Sequence, residues 1–422
     1  MERTTPPVLD EIVFSRPYRS PDELSNLEAV LRSDHSHGDG RFTESATGRI
    51  RHLTGARHAL LTTSCTHALD MAALLLELVP GDEVIMPTFT FPSMATAVVL
   101  RGATPVFVDL DEATGNIDPQ QVAEAVTPRT RAVIVMHYGG VPADLDALLA
   151  VIEGTEIVLI EDNAHGLGGR APGADAPERR LGSVGVLATQ SFHDTKNVHC
   201  GEGGALLIND SGFLERAEII REKGTNRARF LRGEIDKYTW QDAGSSYLPS
   251  ELNAAVLDSQ LASFDTIQRL RRGVWDAYAA GLGDWAEGAG VRLMSADPAL
   301  EHTAHLFYLL LPEPAQQGAL IDHLRGRGVR SAFHYVPLDT APAGVRFGRR
   351  FRAEQALTRS ASFAGRLVRL PLWAGMTDAQ TERVIEGVRA FRPAPSGAAA
   401  VGAAGVSAPG VSAAGPGSTA GR

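Results

Sequence analysis

The sequence has few cysteines, no long apolar run and no excess of basic residues. Its 422 residues include only Cys65 and Cys200, which argues against a disulfide framework and favours a reducing cytoplasm. No apolar stretch is long enough to span a bilayer, and the first residues lack the pattern of a secretory signal. The formal net charge of −10 argues against general nucleic-acid binding. We therefore expect a cytoplasmic globular protein with no nucleic-acid, membrane or metal partner.

The order of apolar segments predicts an α/β fold. From Arg57 to Asn209, short apolar strands alternate with amphipathic helices, which indicates a largely parallel sheet covered on both faces. A helical stretch over Ser250–Gly281 leads to a second α/β pattern, with strands expected at Ala304–Leu311 and Ser331–Val336. The chain length favours two domains. We predict an N-terminal segment (1–37), a large α/β domain (38–270), a small C-terminal α/β domain (271–392) and a disordered Ala/Gly/Pro/Ser tail (393–422).

One lysine lies in a polar loop between two predicted buried strands. It is Lys196 in Gln190–Asn197 (QSFHDTKN), which a glycine-rich segment, Gly201–Gly204 (GEGG), follows closely. A desolvated amine with a lowered pKa can attack a carbonyl and form a Schiff base. The alternative is an ordinary lysine of a surface loop.

A predicted buried strand ends in two acids within Ile157–Gly166 (IVLIEDNAHG). The carboxyl ends of strands are where open α/β sheets bind ligands. Asp162 could there keep the pyridine nitrogen of pyridoxal phosphate (PLP) protonated, which makes the ring a better electron sink. The alternative is that Asp162 only caps the next helix.

A strand also runs into an amphipathic helix at Leu60–Asp70 (LLTTSCTHALD). Exposed N–H groups and the helix dipole at such a junction favour a phosphate, and the small hydroxyl residues add donors. The alternative is a plain Ser/Thr helix cap. The three segments follow one another in the order phosphate cup, pyridine acid and lysine, which makes them more specific together than singly.

In this combination the chain resembles the DegT/DnrJ/EryC1/StrS family of PLP-dependent sugar aminotransferases, of the aspartate-aminotransferase fold type I. The resemblance extends from about Gly38 to Phe391. Besides the segments above, it includes Pro80–Phe91 (PGDEVIMPTFTF) and Val106–Asp109 (VFVD). It implies a large mixed-sheet domain, a smaller C-terminal α/β domain and PLP as the cofactor.

The family roles can be carried over by position. They imply that Lys196 binds PLP covalently and moves a proton between cofactor and substrate, that Asp162 pairs with the pyridinium and that His165 lies beside the ring. Ser64, Cys65, Thr66 and Ser191 would bind the phosphate. Phe91 would stack on the ring; the alternative is that it is a core aromatic. His193 would either help to orient the site or have a purely structural role.

Two positions depart from the family pattern. Ser246, in Gly244–Leu248 (GSSYL), stands where many members have an asparagine that reaches the PLP phosphate of a neighbouring subunit. The resemblance therefore implies a homodimer with shared active sites, but leaves the Ser246 contact open. Asp339 stands where a histidine is commoner, which puts an acceptor-site role at this position in doubt.

The stretch Arg221–Trp240 is locally basic and aromatic in an acidic protein. Arg227, Arg229 and Lys237 could bind the diphosphate of a sugar nucleotide, whereas the alternative is a solvated surface of mixed charge. The stretch is similar to the subfamily that makes TDP-4-amino-4,6-dideoxygalactose. This implies transfer of an amino group from glutamate to TDP-4-keto-6-deoxyglucose, with His334 and Tyr335 as candidates for the acceptor site.

Other functions compete with this prediction. The same fold could act on a 3-keto nucleotide sugar or a keto-cyclitol. A PLP-dependent dehydratase of the family would have histidine in place of Lys196. A nicotinamide-dependent sugar oxidoreductase would need G-x-G-x-x-G after an early strand, where this chain has Thr62–Thr66 (TTSCT). A non-catalytic regulator would not need the lysine, the acid and the phosphate cup together.

Overall fold

The computed structural model describes residues 11–172, 179–294 and 302–392, which form fourteen α-helices and eleven β-strands. The strands are β1 (His58–Thr62), β2 (Glu83–Pro87), β3 (Thr104–Val108), β4 (Thr130–Met136), β5 (Val158–Asp162), β6 (Leu187–Ser191), β7 (Gly204–Ile208), β8 (Arg292–Leu293), β9 (Phe307–Leu310), β10 (Arg349–Arg350) and β11 (Leu367–Leu370). The helices are α1 (Glu23–Leu31), α2 (Arg41–Thr54), α3 (Cys65–Leu75), α4 (Ser93–Leu100), α5 (Pro119–Ala125), α6 (Leu145–Ile152), α7 (Leu214–Arg221), α8 (Arg227–Leu231), α9 (Glu251–Ala262), α10 (Phe264–Ala289), α11 (Ala315–Gly326), α12 (Pro342–Phe347), α13 (Thr358–Arg366) and α14 (Asp378–Arg389).

Eight strands form one large mixed sheet in the order β1-β7-β6-β5-β4-β2-β3-β10. Only β7 runs against its neighbours, since it pairs antiparallel with both β1 and β6. Successive residues of β2 belong to different hydrophobic clusters, Val84 and Met86 to one and Ile85 to another. Both faces of the sheet are therefore buried, and the predicted α/β fold with a large mixed sheet is confirmed.

The sheet brings three chain segments to one edge. Strands β1, β5 and β6 run in the same direction, so their carboxyl ends lie at the same edge of the sheet. After β1 the chain enters α3, β5 ends at Asp162, and after β6 a turn leads to Lys196. This edge assembles the candidate site.

Strands β11, β9 and β8 form a second, antiparallel sheet of three strands. Helix α10 crosses the predicted domain boundary at residue 270, and β10 pairs with β3 of the large sheet. The predicted boundaries stay a prediction, and the tail at 393–422 lies outside the described residues. No helix in the described ranges combines the length and the apolar character needed to cross a membrane.

One predicted strand was wrong. The stretch Ser331–Val336 is no strand and forms only one bridge, from Ala332 to Arg369. Extended pairing cannot continue because Tyr335 has a φ of 29°, and its side chain and that of His334 instead line the candidate site. The helical stretch predicted over Ser250–Gly281 consists of two helices, α9 and α10, which are separated by Ser263 with a φ of −93° and a ψ of 7°.

Candidate active site

Two adjoining chambers meet at Lys196 and share Phe91, Thr195, Lys196 and Tyr335 as wall residues. The first, here called the Asp162 chamber, has a volume of about 400 Å³. The second, here called the histidine chamber, has a volume of about 470 Å³. The Asp162 chamber is lined by Ser64, Cys65, Thr66, Asp162, Ser191 and His193. The histidine chamber is lined by Phe14, His165, His305, His334 and Arg369.

Lys196 lies in the turn that follows β6. Its backbone N–H donates to the His193 carbonyl at 2.9 Å, which closes the turn. Its side-chain amine forms no hydrogen bond or ion pair with a described residue. Burial lowers the pKa of Lys196 to about 8, although the charge of Asp162 acts in the opposite direction. The neutral, nucleophilic form of this amine is therefore far more populated near neutral pH than that of an ordinary lysine.

Asp162 is the last residue of β5 and is buried. Its Oδ1 accepts a hydrogen bond from the Ala164 N–H at 3.1 Å, as in a short turn. Its Oδ2 accepts none from any described residue. Burial raises the pKa of Asp162, while the Ala164 hydrogen bond and the charge of Lys196 lower it. This carboxylate therefore has one oxygen free for a cationic donor that enters the chamber.

The N-terminus of α3 faces the Asp162 chamber. Ser64 is the N-cap, and its Oγ accepts the His67 N–H at 3.1 Å. The N–H groups of Cys65 and Thr66 have no acceptor among the described residues, so they remain available to an anion. The Thr66 hydroxyl lies 2.7 Å from that of Ser93.

Glycine is required at the start of β7 to bring this strand against α3. A Cβ on Gly204 would lie only 2.4 Å from the Cys65 nitrogen and 2.4 Å from the Ser64 carbonyl carbon. Ser191, at the end of β6, pairs with Gly204 across the two strands and adds a hydroxyl to the same wall. The close approach of the two backbones therefore holds the helix N-terminus in place.

Three imidazoles lie together in the histidine chamber. The rings of His165 and His305 are stacked with centroids 4.0 Å apart, and those of His165 and His334 are 6.2 Å apart. Burial, with the charge of Lys196 adding to it, places the pKa of each of the three well below its ordinary value. All three are therefore neutral at physiological pH. The hydroxyl of Tyr138 lies 2.8 Å from His334 Nδ1 and orients that ring.

Phe91 precedes α4 and is 55% exposed where the two chambers join. Because it is not a core aromatic, its ring is available to a ligand of either chamber. His193 lies at the rim of the Asp162 chamber, with its Nδ1 2.8 Å from the Thr195 hydroxyl. The structure therefore brings together every predicted residue of the phosphate cup, the pyridine acid and the lysine.

Four other predicted residues line neither chamber within one chain. Ser246 is exposed and lines a separate cavity of about 520 Å³ together with Arg227. Arg229 is ion-paired with Glu215 and Glu234 at 2.9 and 3.1 Å. Lys237 is exposed and forms no salt bridge within the described ranges. His334 and Tyr335, by contrast, do line the histidine chamber.

Sequence reasoning missed two residues of the histidine chamber. Arg369 is the one cation in the apolar strand Leu367–Leu370 (LVRL), and a charge in such a run signals a buried functional or paired group. His305 lies in a similar apolar segment just before β9, and its Nδ1 is 2.9 Å from Asn197 Oδ1. A search for polar residues inside predicted strands would have found His305, which lies in the predicted strand Ala304–Leu311, whereas no strand was predicted around Arg369.

This fold, with a lysine and an acid meeting at the carboxyl edge of the mixed sheet, defines a PLP-dependent aminotransferase of fold type I. The sequence model of the DegT/DnrJ/EryC1/StrS aminotransferase family matches residues 17–389, and the chain belongs to this family. It is a sugar aminotransferase by family, and PLP is its cofactor.

Three solved structures illustrate the relationship. DesV from S. venezuelae, solved with a ketimine intermediate, is 32% identical with a TM-score of 0.77, over 87% of this chain and 93% of that one. DesI, solved in the presence of its TDP-sugar product, is 29% identical with a TM-score of 0.78, over 90% and 92% of the two chains. 3-Amino-5-hydroxybenzoic acid synthase is 27% identical with a TM-score of 0.79, over 90% and 98%.

The Asp162 chamber fits PLP by the chemistry of its free groups. The unpaired Oδ2 of Asp162 suits a protonated pyridine nitrogen, and the unpaired amine of Lys196 suits the aldehyde. The free N–H groups of Cys65 and Thr66 suit the phosphate. The pyridine nitrogen, the aldehyde and the phosphate of PLP thus each have a counterpart that no described residue satisfies.

Proposed function

We propose that this protein transfers an amino group from glutamate to the C4 ketone of TDP-4-keto-6-deoxyglucose and so forms a TDP-4-amino-4,6-dideoxyhexose. The observation that carries the proposal is the junction of two chambers at Lys196. One chamber matches PLP, and the other, of about 470 Å³, leaves room for a substrate at the same amine. The similarity to DesI, which has a TDP-sugar product, supports the class of acceptor.

The residues of the Asp162 chamber bind and orient the cofactor. Asp162 holds the pyridine nitrogen protonated, Phe91 lies against the ring, and Ser64, Cys65, Thr66 and Ser191 bind the phosphate. His165 lines the histidine chamber and His193 lines the Asp162 chamber. When bound, PLP supplies an electron sink for the carbon that gains or loses the amino group.

Lys196 moves the proton in this proposal. When PLP is bound, Nζ of Lys196 would take the proton from the α-carbon of the donor and give it to the cofactor. In the second half of the reaction Nζ would take that proton back from the cofactor and deliver it to the sugar carbon. A pKa of about 8 suits both steps, because general acid–base catalysis works best when the pKa is near the working pH.

The neutral imidazole of His334 and the hydroxyl of Tyr335 face the acceptor. Neither carries charge near neutral pH, since burial lowers the pKa of His334 and raises that of Tyr335. They are therefore suited to hydrogen bonds with sugar hydroxyls rather than to ion pairing. The uncharged histidine walls are consistent with a hexose as the group that enters this chamber.

We propose a homodimer with shared active sites. Arg227, Arg229 and Lys237 remain our candidates for the diphosphate anchor, and Ser246 for a contact with the cofactor phosphate. None of the four lines either chamber of its own chain, so they would act on the site of a partner subunit. A fully active monomer in sedimentation analysis would contradict this arrangement.

A panel of keto-sugar nucleotides tests the acceptor. The PLP-loaded enzyme with glutamate should aminate TDP-4-keto-6-deoxyglucose much faster than its 3-keto isomer, as judged by product mass and configuration. The diphosphate anchor sets the distance of the sugar from Lys196, and a misplacement of about 1 Å can cost roughly a hundredfold in rate. Comparable rates on both isomers would refute the C4 assignment.

A carbocyclic ketone is the second candidate acceptor, because 3-amino-5-hydroxybenzoic acid synthase is a neighbour with 27% identity. Keto-cyclitols should therefore be included in the same panel. Amination of a keto-cyclitol with no turnover of TDP-linked sugars would favour this candidate. Substituting whichever of Arg227, Arg229 and Lys237 contacts the diphosphate by a neutral residue separates the two candidate acceptors. The substitution should impair turnover of the nucleotide-linked ketone only.

Borohydride reduction tests the cofactor lysine. Reduction should attach the cofactor to Lys196 in the wild-type protein, as located by peptide mass spectrometry. Lys196→Ala should bind PLP without covalent attachment. A reducible adduct formed at full level in Lys196→Ala would remove this residue from the proposed mechanism.

A further inference from the structure

The loop formed by residues 333–337 is fastened at its two ends to different sheets. Just before the loop, Ala332 exchanges two backbone hydrogen bonds with Arg369 of β11, at 3.2 and 2.7 Å, in the small sheet. Just after the loop, the Leu338 N–H donates to the carbonyl of Thr88 at 2.8 Å, and Thr88 directly follows β2 of the large sheet. The 333–337 loop therefore bridges the two sheets.

Asp339 strengthens the attachment to the large sheet. The Thr88 hydroxyl donates to Asp339 Oδ1 at 2.7 Å and accepts the Asp339 N–H at 2.9 Å. Asp339 Oδ2 accepts a hydrogen bond from Nε of Arg350 at 2.7 Å, and Arg350 belongs to β10, which pairs with β3. The side chain of Asp339 is only 3% exposed, so its loss would leave buried groups of both partners unsatisfied.

Tyr335, in the middle of the loop, has a left-handed backbone conformation. Its φ of 29° is unfavourable for a bulky residue, because the Cβ approaches the backbone too closely. Its hydroxyl forms no hydrogen bond with any residue in the described ranges, and its ring stacks on that of His334 with centroids 3.6 Å apart. A residue stays in such a conformation only where its surroundings hold the backbone in place. The attachments on either side of the loop provide that constraint.

The position of Tyr335 determines the shape of the junction between the two chambers. Its side chain lines both chambers, as does that of Phe91, and their ring centroids are 6.3 Å apart. Phe91 is three residues from Thr88, so the contact between Thr88 and Asp339 joins the two segments that carry these aromatic walls. Asp339 itself lines neither chamber. A shift of the 333–337 loop would therefore change the junction beside Lys196.

We propose that Asp339 is a positioning residue that acts on the acceptor through Tyr335. By binding Thr88 and Arg350, its carboxylate holds the end of the 333–337 loop against the large sheet and keeps Tyr335 in its left-handed conformation. The inference rests on the proposed function in so far as Tyr335 faces the acceptor. Because Asp339 lines neither chamber, its effect on the rate passes through the loop.

A crystal structure of the Asp339→Ala holoenzyme without acceptor tests the positioning directly. Both side-chain contacts are lost in this variant, so the backbone of Tyr335 should leave the left-handed region and its ring should move from the junction. If Asp339→Ala does not fold, Asp339→Asn keeps the size of the side chain, but its single carbonyl oxygen cannot accept from both Thr88 and Arg350. Tyr335 in its wild-type conformation in the variant that folds would overturn the proposal.

Single turnover of the pyridoxamine form with TDP-4-keto-6-deoxyglucose measures the consequence for the acceptor. The rate with Asp339→Ala should be roughly ten- to hundredfold lower, since a misplacement of about 1 Å can cost a hundredfold.

Asp109→Ala is the matched control for this experiment. The buried Asp109 also fastens distant segments, because it accepts the N–H groups of Arg359 and Ser360 at 3.0 and 2.6 Å, but neither of these residues lines a chamber. The control should lose thermal stability and keep nearly the wild-type rate. An equal loss of rate in Asp339→Ala and Asp109→Ala would assign Asp339 to stability alone and overturn the proposal.

A double-mutant cycle tests whether Asp339 acts through Tyr335. Tyr335→Phe removes the hydroxyl that faces the acceptor, so adding Asp339→Ala to it should lower the rate by no more than about twofold. Losses that multiply, as for independent sites, would overturn the proposal. The crystal structure needs no substrate, so failure of the proposed function is distinct: it would appear as a wild-type enzyme that aminates none of the keto-sugars or keto-cyclitols.

Discussion

The low pKa of Lys196 predicts the pH dependence of cofactor binding to the apoenzyme. Only the neutral amine attacks the aldehyde of PLP, so the rate should follow the fraction of Lys196 that has lost its proton. Below the pKa most of the Lys196 amine is protonated, and above the pKa most of it is neutral. The rate of incorporation should therefore rise with pH, reach half its maximum near pH 8 and level off above that value.

The magnitude follows from the two pKa values. At a pKa of about 8, about 9% of the amine is neutral at pH 7, whereas at the ordinary value of 10.5 only about 0.03% would be. Burial of Lys196 thus raises the reactive fraction roughly 300-fold at neutral pH. The charge of Asp162 limits this gain, because it favours the protonated amine. Asp162→Asn should accordingly move the midpoint to a lower pH.

Stopped-flow absorbance of PLP incorporation, at constant ionic strength from pH 6 to about pH 11, measures this profile. A soluble lysine analogue in parallel reveals the ionisations of PLP itself, which must be divided out. Lys196→Ala gives the background of reaction with other amines. A corrected rate that still rises about tenfold per pH unit above pH 9 would show an ordinary lysine and refute the reasoning.

Three further predictions concern substitutions of Asp162, Glu161 and Gly204. Asp162→Asn should retain some PLP but lose most turnover, measured under saturating substrates, because a neutral partner no longer stabilises the pyridinium. Glu161→Gln should cost about 3–5 kcal/mol in chemical denaturation, since the buried Glu161 carboxylate accepts three N–H groups and lies 3.0 Å from His137 Nε2. The pKa of Glu161 is lowered in the fold, so this difference should shrink as pH falls below 4.5. Gly204→Ala should weaken PLP binding in fluorescence titration, whereas Gly48→Ala, with open space around it, should not.

The outline of the fold could be predicted because strand and helix signals are local. Strands β2, β3 and β7 lie within the predicted alternation of strands and helices from Arg57 to Asn209, and each is a short apolar run. Helix α5 begins where the Asp118 cap and the first-turn Pro119 favour a helix. The stretch Ser331–Val336 has the composition of a strand but is none. Its residues serve a chamber built from distant parts of the chain, and contacts of that kind override local preference.

The sequence by itself determined the family, the cofactor and the lysine, acid and phosphate-cup segments, because each is a short motif whose chemistry depends on neighbouring residues. Only the tertiary structure decided that Asp162 Oδ2 and the Lys196 amine lack partners, since hydrogen-bond partners come from any part of the chain. It alone decided that Arg369 shares a chamber with Lys196 while Arg350 and Arg366 are paired. The physical reason is that burial and charge pairing depend on which strands become neighbours in the sheets, and spacing along the chain does not encode that directly.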